Sequence, residues 1–164
     1  MDLLKQFLGS GQGHQDFSDF VNRFEQGQPS DGYSDQEAVD RYHQVAPNLP
    51  QNSYVNAAEQ AFSRIPPQQR QEILNQVQQQ AAQRGINLPA MSQGTGGQSA
   101  LDPGNLAQLV GQLHQQDPNL LPQILSGQGG NAVGGLLSSP GARAILGGIA
   151  AMAVKSLLGG GQRR

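Results

Sequence analysis

Residues 144–154 read AILGGIAAMAV and contain no polar side chain. Arg143 and Lys155 flank this stretch, Ser139 and Pro140 offer a helix start upstream, and glycines follow it. The pattern predicts an apolar helix over residues 141–158. Its large apolar side chains fall on nearly every side, and a helix of that kind is either buried in protein or embedded in lipid.

The predicted helix also has a face of small residues. Gly147, Ala151 and Lys155 are four residues apart, and Ala144 and Gly148 lie beside them, so another helix can pack closely there. Burying a large side chain gives about 1.5–3 kcal/mol, and the total falls short of the cost of ordering the segment, so the helix needs a packing partner. We predict that its interaction residues are Ile145, Leu146, Gly147, Gly148, Ile149, Ala151, Met152, Leu157 and Leu158.

Such a helix could lie in one of three environments: packed against protein, at a membrane surface or across a membrane. We favour packing against helices of its own chain or against a second copy. The alternative is a membrane surface that residues 132–164 anchor, with four basic side chains facing the lipid: Arg143, Lys155, Arg163 and Arg164. A complete transmembrane span needs about 20 predominantly apolar residues, and the charged residues and Pro140 leave too few.

Helical periodicity also dominates the preceding sequence, and no stretch has the alternation of a half-buried strand. Residues 14–88 predict a unit of four linked helices. Ser34 and Glu37 have the spacing of a capping box, Asn52 or Ser53 can cap the third helix, and Gly85 can end the fourth. The apolar faces predict core positions at Phe17, Phe20, Val21, Phe24, Val39, Tyr42, Ala46, Val55, Ala58, Phe62, Ile65, Ile73, Leu74, Val77 and Ala81.

The remaining segments differ in composition. Residues 1–13 predict a short amphipathic helix and a Gly-rich break, and residues 89–101 have the composition of a flexible linker. Residues 102–164 predict a helical, Gly-rich C-terminal region, in which Asp102 and Asp117 each precede a proline as helix caps. The predicted fold class is therefore all-α, with a small N-terminal helical bundle, a Gly-rich linker, short helices and the apolar C-terminal helix.

Charge is sparse and unevenly distributed along the 164 residues, whose formal net charge is −2. Residues 1–117 hold all 12 acidic residues and six of the 10 basic ones, and residues 118–164 hold the other four basic residues. Because binding of phosphates requires a basic patch, the composition argues against a nucleic-acid partner. The chain has no Cys, which excludes disulfides, thiol nucleophiles and thiolate metal sites. It shows no secretory signal, so we expect the cytoplasm, with membrane association as the alternative.

No motif predicts catalysis. His14, His43 and His114 have no metal-binding spacing, and residues 127–132 fit a dinucleotide string that neither follows a strand pattern nor precedes an acidic residue. We therefore predict no enzymatic activity, no cofactor and no metal. The alternative is a small-ligand-binding protein or enzyme with a cleft around Tyr42 and His43, and that hypothesis requires His43 to be buried.

The apolar start MDLLKQFLG, the Gly-rich breaks, the Gln-rich helices and the apolar Leu/Gly-rich end resemble small bacterial helical proteins of the YidB-like type. The resemblance covers the ends and the composition, and residues 28–88 match no family motif. It implies no functional residue. The residues themselves predict a non-enzymatic interaction or assembly protein, which binds a protein partner or associates with itself. Its C-terminal helix docks on its own core or on that partner.

Overall fold

The computed structural model describes residues 11–26, 34–86, 101–126 and 140–159. Within these ranges the chain forms α-helices and no strand, which confirms the all-α prediction. The helices are α1 (Gly11–Gln26), α2 (Asp35–Val45), α3 (Gln51–Ser63), α4 (Pro67–Gln83), α5 (Pro103–Gln116), α6 (Leu120–Ser126) and α7 (Pro140–Gly159), and a 3-10 turn, Ala46–Asn48, follows α2. Residues 1–10, where a short N-terminal helix was predicted, lie outside the described residues. Residues 89–100 of the predicted linker also lie outside them.

Two helices begin earlier than the sequence predicted. α1 starts at Gly11, so Gly11 and Gly13 lie in the helix rather than in a break before it. Glycine costs about 1 kcal/mol in a helix, and tertiary packing of the same helix can override so small a preference. α3 starts at Gln51 with Pro50 at its N-cap position, so the expected cap at Asn52 or Ser53 is wrong. The fixed φ of Pro50, −59°, already suits the chain entering a helix.

Two other predicted helix ends are confirmed, whereas Asp117 does not stand directly before α6, which begins at Leu120. The Ser34 hydroxyl accepts a hydrogen bond from the Glu37 backbone N–H at 3.2 Å. The Glu37 carboxylate meets Arg23 of α1 at 3.0 Å, which ties α2 to α1. Gly85 ends α4 with a φ of +68°, and the N–H of Ile86 donates to the Ala81 carbonyl at 2.8 Å. These two features form a Schellman motif, in which glycine adopts the left-handed conformation that other residues avoid.

The C-terminal helix lies at the centre of the described structure. α7 contacts α1, α2, α3, α4 and the 3-10 turn, and its most extensive contacts are with α3 and α2. Every residue from 144 to 154 is buried. The predicted apolar helix is thus a core element, and the helices that it contacts, α1–α4, all end at Gln83 or earlier in the sequence.

α3 contacts both α7 and α5. Val55 of α3 lies against Gly111 of α5, and Glu59 lies near Gly104, so α3 and α5 run in opposite directions. α4 contacts α6, and the guanidinium of Arg84 donates to the side-chain carbonyl of Gln123 at 3.1 Å. Helices from both sides of residues 87–100 therefore contribute to one hydrophobic core.

Candidate functional site

The docking face of α7 is the first feature that could carry a function. A Cβ added to Gly148 would lie 2.7 Å from the Cβ of Ala61 in α3 and 3.0 Å from Cζ of Phe24 in α1. Carbon atoms in van der Waals contact are about 3.5–4.0 Å apart, so only glycine fits here without movement. The missing side chain lets the α7 backbone approach two helices at once.

The predicted interaction residues of α7 lie on this core. The described ones are all buried against helices of the same chain: Ile145, Leu146, Gly147, Gly148, Ile149, Ala151 and Met152. The side chains of Leu157 and Leu158 lie outside the described part of the structure. Gly148, which lies beside the predicted small-residue face of Gly147, Ala151 and Lys155, packs against α3 and α1 of the same chain.

The predicted lipid-facing basic residues have separate positions. Lys155 is exposed at the end of α7 and forms an ion pair with Glu25 of α1. Arg143 is half-buried in the first turns of α7, and Arg163 and Arg164 lie outside the described residues. Across the described ranges, no helix combines the length and apolar character that crossing a membrane requires.

A buried polar cluster forms the second candidate site, where α2, α3 and α5 meet. The hydroxyls of Tyr42 and Tyr54 share a hydrogen bond of 2.7 Å, and both side chains are fully buried. Their rings meet edge to face, with centroids 6.3 Å apart. The ring of His114 stacks on the ring of Tyr54. The two ring centroids are 4.1 Å apart, and the ring planes are 12° from parallel.

The two ring nitrogens of His114 differ in their hydrogen bonding. The side chain hydrogen-bonds the backbone carbonyl of Ala46 in the 3-10 turn, while Nδ1 is buried without a partner. The neutral ring has one N–H and one lone pair on its two nitrogens, and assigning the N–H to Nε2 leaves the lone pair on Nδ1, the nitrogen without a partner. A buried acceptor without a donor is uncommon in proteins.

Burial governs the titration of all three side chains. It lowers the pKa of His114, and the hydrogen bond to Ala46 opposes this shift only in part. Burial raises the pKa of Tyr42, and the hydrogen bond from Tyr54 partly offsets it. Burial, the nearby Tyr42 and their shared hydrogen bond all raise the pKa of Tyr54. The cluster is therefore uncharged at neutral pH.

The ligand-binding alternative placed a cleft around Tyr42 and His43. His43 is exposed, with its ring edge-on to Tyr42 at 6.1 Å, so it does not meet the requirement of burial. Tyr54 and His114 were not predicted to join Tyr42 in one cluster, because the three residues belong to three different helices. Helical spacing was the signal that could have placed both residues on apolar helix faces. Tyr54 precedes Ala58 by four residues, and His114 follows Val110 by four.

Within the described ranges, no three His, Asp or Glu side chains cluster in a way that could hold a metal ion. Comparison with protein-family models, with curated proteins and with solved structures found no match to this chain. The fold and the two candidate sites are therefore interpreted from their own geometry.

Proposed function

We propose that this chain is a non-enzymatic interaction or assembly protein of the cytoplasm, whose C-terminal helix docks on its own core. The observation that carries the proposal is the enclosure of residues 144–154 by α1–α4. The most apolar segment of the chain is used to build the scaffold, and the exposed side chains of the described helices, which are mostly polar, are available to partners. A second copy of the chain is the partner that we expect first.

The composition of that surface supports self-association. The chain has a net charge of −2 and only 13% charged residues, so electrostatic repulsion between copies is weak. Side-chain amides dominate the exposed face of α4, at Gln68, Gln71, Asn75, Gln79 and Gln83. An amide both donates and accepts hydrogen bonds, and it loses less hydration energy in a contact than a charged group does.

Light scattering over a range of concentrations tests self-association. We expect the average mass to rise above the 17.4 kDa of one chain as concentration increases. Adding charge through Gln71→Glu and Gln79→Glu leaves the helix propensity of α4 nearly unchanged and is expected to shift the rise to higher concentration. A mass that stays at 17.4 kDa throughout contradicts the choice of a second copy as partner.

Flotation with anionic vesicles separates this proposal from the membrane alternative. The full chain is compared with a chain that ends at Gly130 and therefore lacks α7. We expect that neither floats, and that the shortened chain loses helical circular dichroism because its core lacks the central helix. If only the full chain floats, residues 132–164 are a membrane anchor and the proposal is wrong.

A further inference from the structure

We propose that His114 is an acid-sensitive latch, which holds α5 against α3 and the 3-10 turn while neutral and releases α5 when protonated. The inference does not depend on the proposed function. It starts from the position of one ring, which stacks on Tyr54 of α3 and hydrogen-bonds the Ala46 carbonyl at the end of α2. A single side chain of α5 thus contacts two other elements.

The cost of protonation follows from the geometry at Nδ1. This atom is buried and has no partner, so a proton added to it would create an N–H donor without an acceptor. The same step would place a positive charge in a site where only 9% of the His114 surface is exposed. Both effects disfavour the protonated ring while α5 is packed against α3. Neither effect acts once α5 has moved away and water reaches Nδ1.

Within the described ranges, the side chain that is shown in contact with the ring is uncharged. Tyr54 from α3 and Tyr42 from α2 are neutral, and the 3-10 turn and α6 contain no ionisable residue. Glu59 of α3 lies beside Gly104, three turns along α5 from His114. Asp117, the nearest acidic residue in sequence, accepts a hydrogen bond from the Asn119 backbone at 2.8 Å.

Of the described charged or titratable side chains of α2, one is paired and the others are exposed or half-buried. Glu37 pairs with Arg23, Asp40 and His43 are exposed, and Arg41 is half-buried on the same helix. The contacts that the described structure shows for the ring are those with the Ala46 backbone and the face of Tyr54. Release of α5 would expose its buried apolar side chains, which include Leu106, Leu109, Val110 and Leu113.

Hydrogen exchange of the full chain between pH 7.5 and pH 5 tests the latch. After correction for intrinsic exchange rates, we expect the opening constant of α5 amides to rise up to tenfold for each pH unit below about 6.5. Amides in the middle of α7 should change less, because their opening does not require His114 to move. Equal behaviour of α5 and α7 contradicts the proposal.

Two substitutions at His114 and one control assign the effect. His114→Gln keeps a donor that can reach Ala46, and His114→Phe keeps a ring that can stack on Tyr54; neither titrates. We expect both to abolish the pH dependence of α5 opening, while His43→Gln, at the exposed histidine one residue from Tyr42, leaves it intact. A pH dependence that survives both His114 substitutions overturns the proposal.

Nuclear magnetic resonance of the unmodified chain keeps the test valid if the variants fail to fold. The imidazole resonances of His114 report its titration directly. We expect His114 to titrate below the ordinary value of about 6.5. Titration of His114 at or above that value would contradict the proposal.

Discussion

Gly148 of α7 and Ala61 of α3 are so close that a β-carbon on the glycine would lie 2.7 Å from that of the alanine. This contact brings the backbones of the two helices together at the middle of α7. Phe24 of α1 covers the same glycine, and Arg64 lies over the Phe24 ring, 5.3 Å from its centroid. One residue without a side chain thus sets the packing of three helices.

We expect Gly148→Ala to lower the free energy of unfolding by about 1–3 kcal/mol, because the added methyl group overpacks the core against Ala61 and Phe24. Urea unfolding monitored by circular dichroism measures the change. Gly104→Ala is the matched control, since its Cβ would lie 3.9 Å from the nearest atom, Oε1 of Glu59, at ordinary contact distance. The control should be neutral or slightly stabilising, because alanine favours a helix over glycine. Equal effects of the two substitutions would contradict the close packing of α7.

The Tyr42–Tyr54 hydrogen bond is testable by a double-mutant cycle. Each single Tyr→Phe substitution leaves the other buried hydroxyl without its partner, which costs about 1–3 kcal/mol of stability. Replacing both tyrosines by phenylalanine removes both hydroxyls, so the double variant should lose less stability than the sum of the single variants. Additive losses would show that the hydroxyls do not interact.

Alkaline titration tests the burial of the same pair. The folded-state pKa values of Tyr42 and Tyr54 are raised, so their stabilising effect is complete below the ordinary tyrosine value of about 10 and is lost as pH rises above it. We expect stability to fall above about pH 10, with tyrosinate absorbance from these two residues appearing together with unfolding. Reversible ionisation of both at about pH 10, with the helices intact, would mean that the pair is exposed.

The ion pair between Lys155 and Glu25 should contribute little. Both side chains are partly exposed, 55% for Lys155 and 31% for Glu25, and exposed pairs contribute about 0–1 kcal/mol. Lys155→Gln should therefore lower stability by no more than about 1 kcal/mol at low salt, with the difference reduced by high salt. Urea unfolding at two salt concentrations measures both quantities. A loss above about 2 kcal/mol would indicate that this end of α7 is held mainly by the pair.

Local patterns in the sequence predicted much of the fold because they depend on neighbouring residues. Apolar spacing correctly placed Phe20, Phe24, Phe62 and Val77 in the core, and turn chemistry correctly ended α4 at Gly85. The start of α1 was mispredicted, because the glycine signal before it is weaker than the packing of the whole helix. Local rules thus predicted the presence of each helix more reliably than the residue at which it begins.

The long-range pairings could not be predicted in the same way. The sequence indicated that α7 needs a partner and favoured protein over lipid, but it did not choose between the chain's own helices and a second copy. The structure brings Gly148 to Ala61 across 87 positions, and it brings Tyr54 to His114 across 60. A single sequence does not show which distant residues are in contact, because helical spacing indicates which face of a helix is buried but not which other helix packs against it.

Thiol labelling of single-cysteine variants tests the central claim, that α7 is enclosed by its own chain, most directly. The natural chain has no Cys, so Ala151→Cys at a buried position and Ser156→Cys at an exposed one each report a single site. We predict that Ala151→Cys reacts only as fast as the protein unfolds, with or without anionic vesicles, while Ser156→Cys reacts at once. Equally fast labelling of both, or vesicle-dependent labelling at position 151, would contradict that claim.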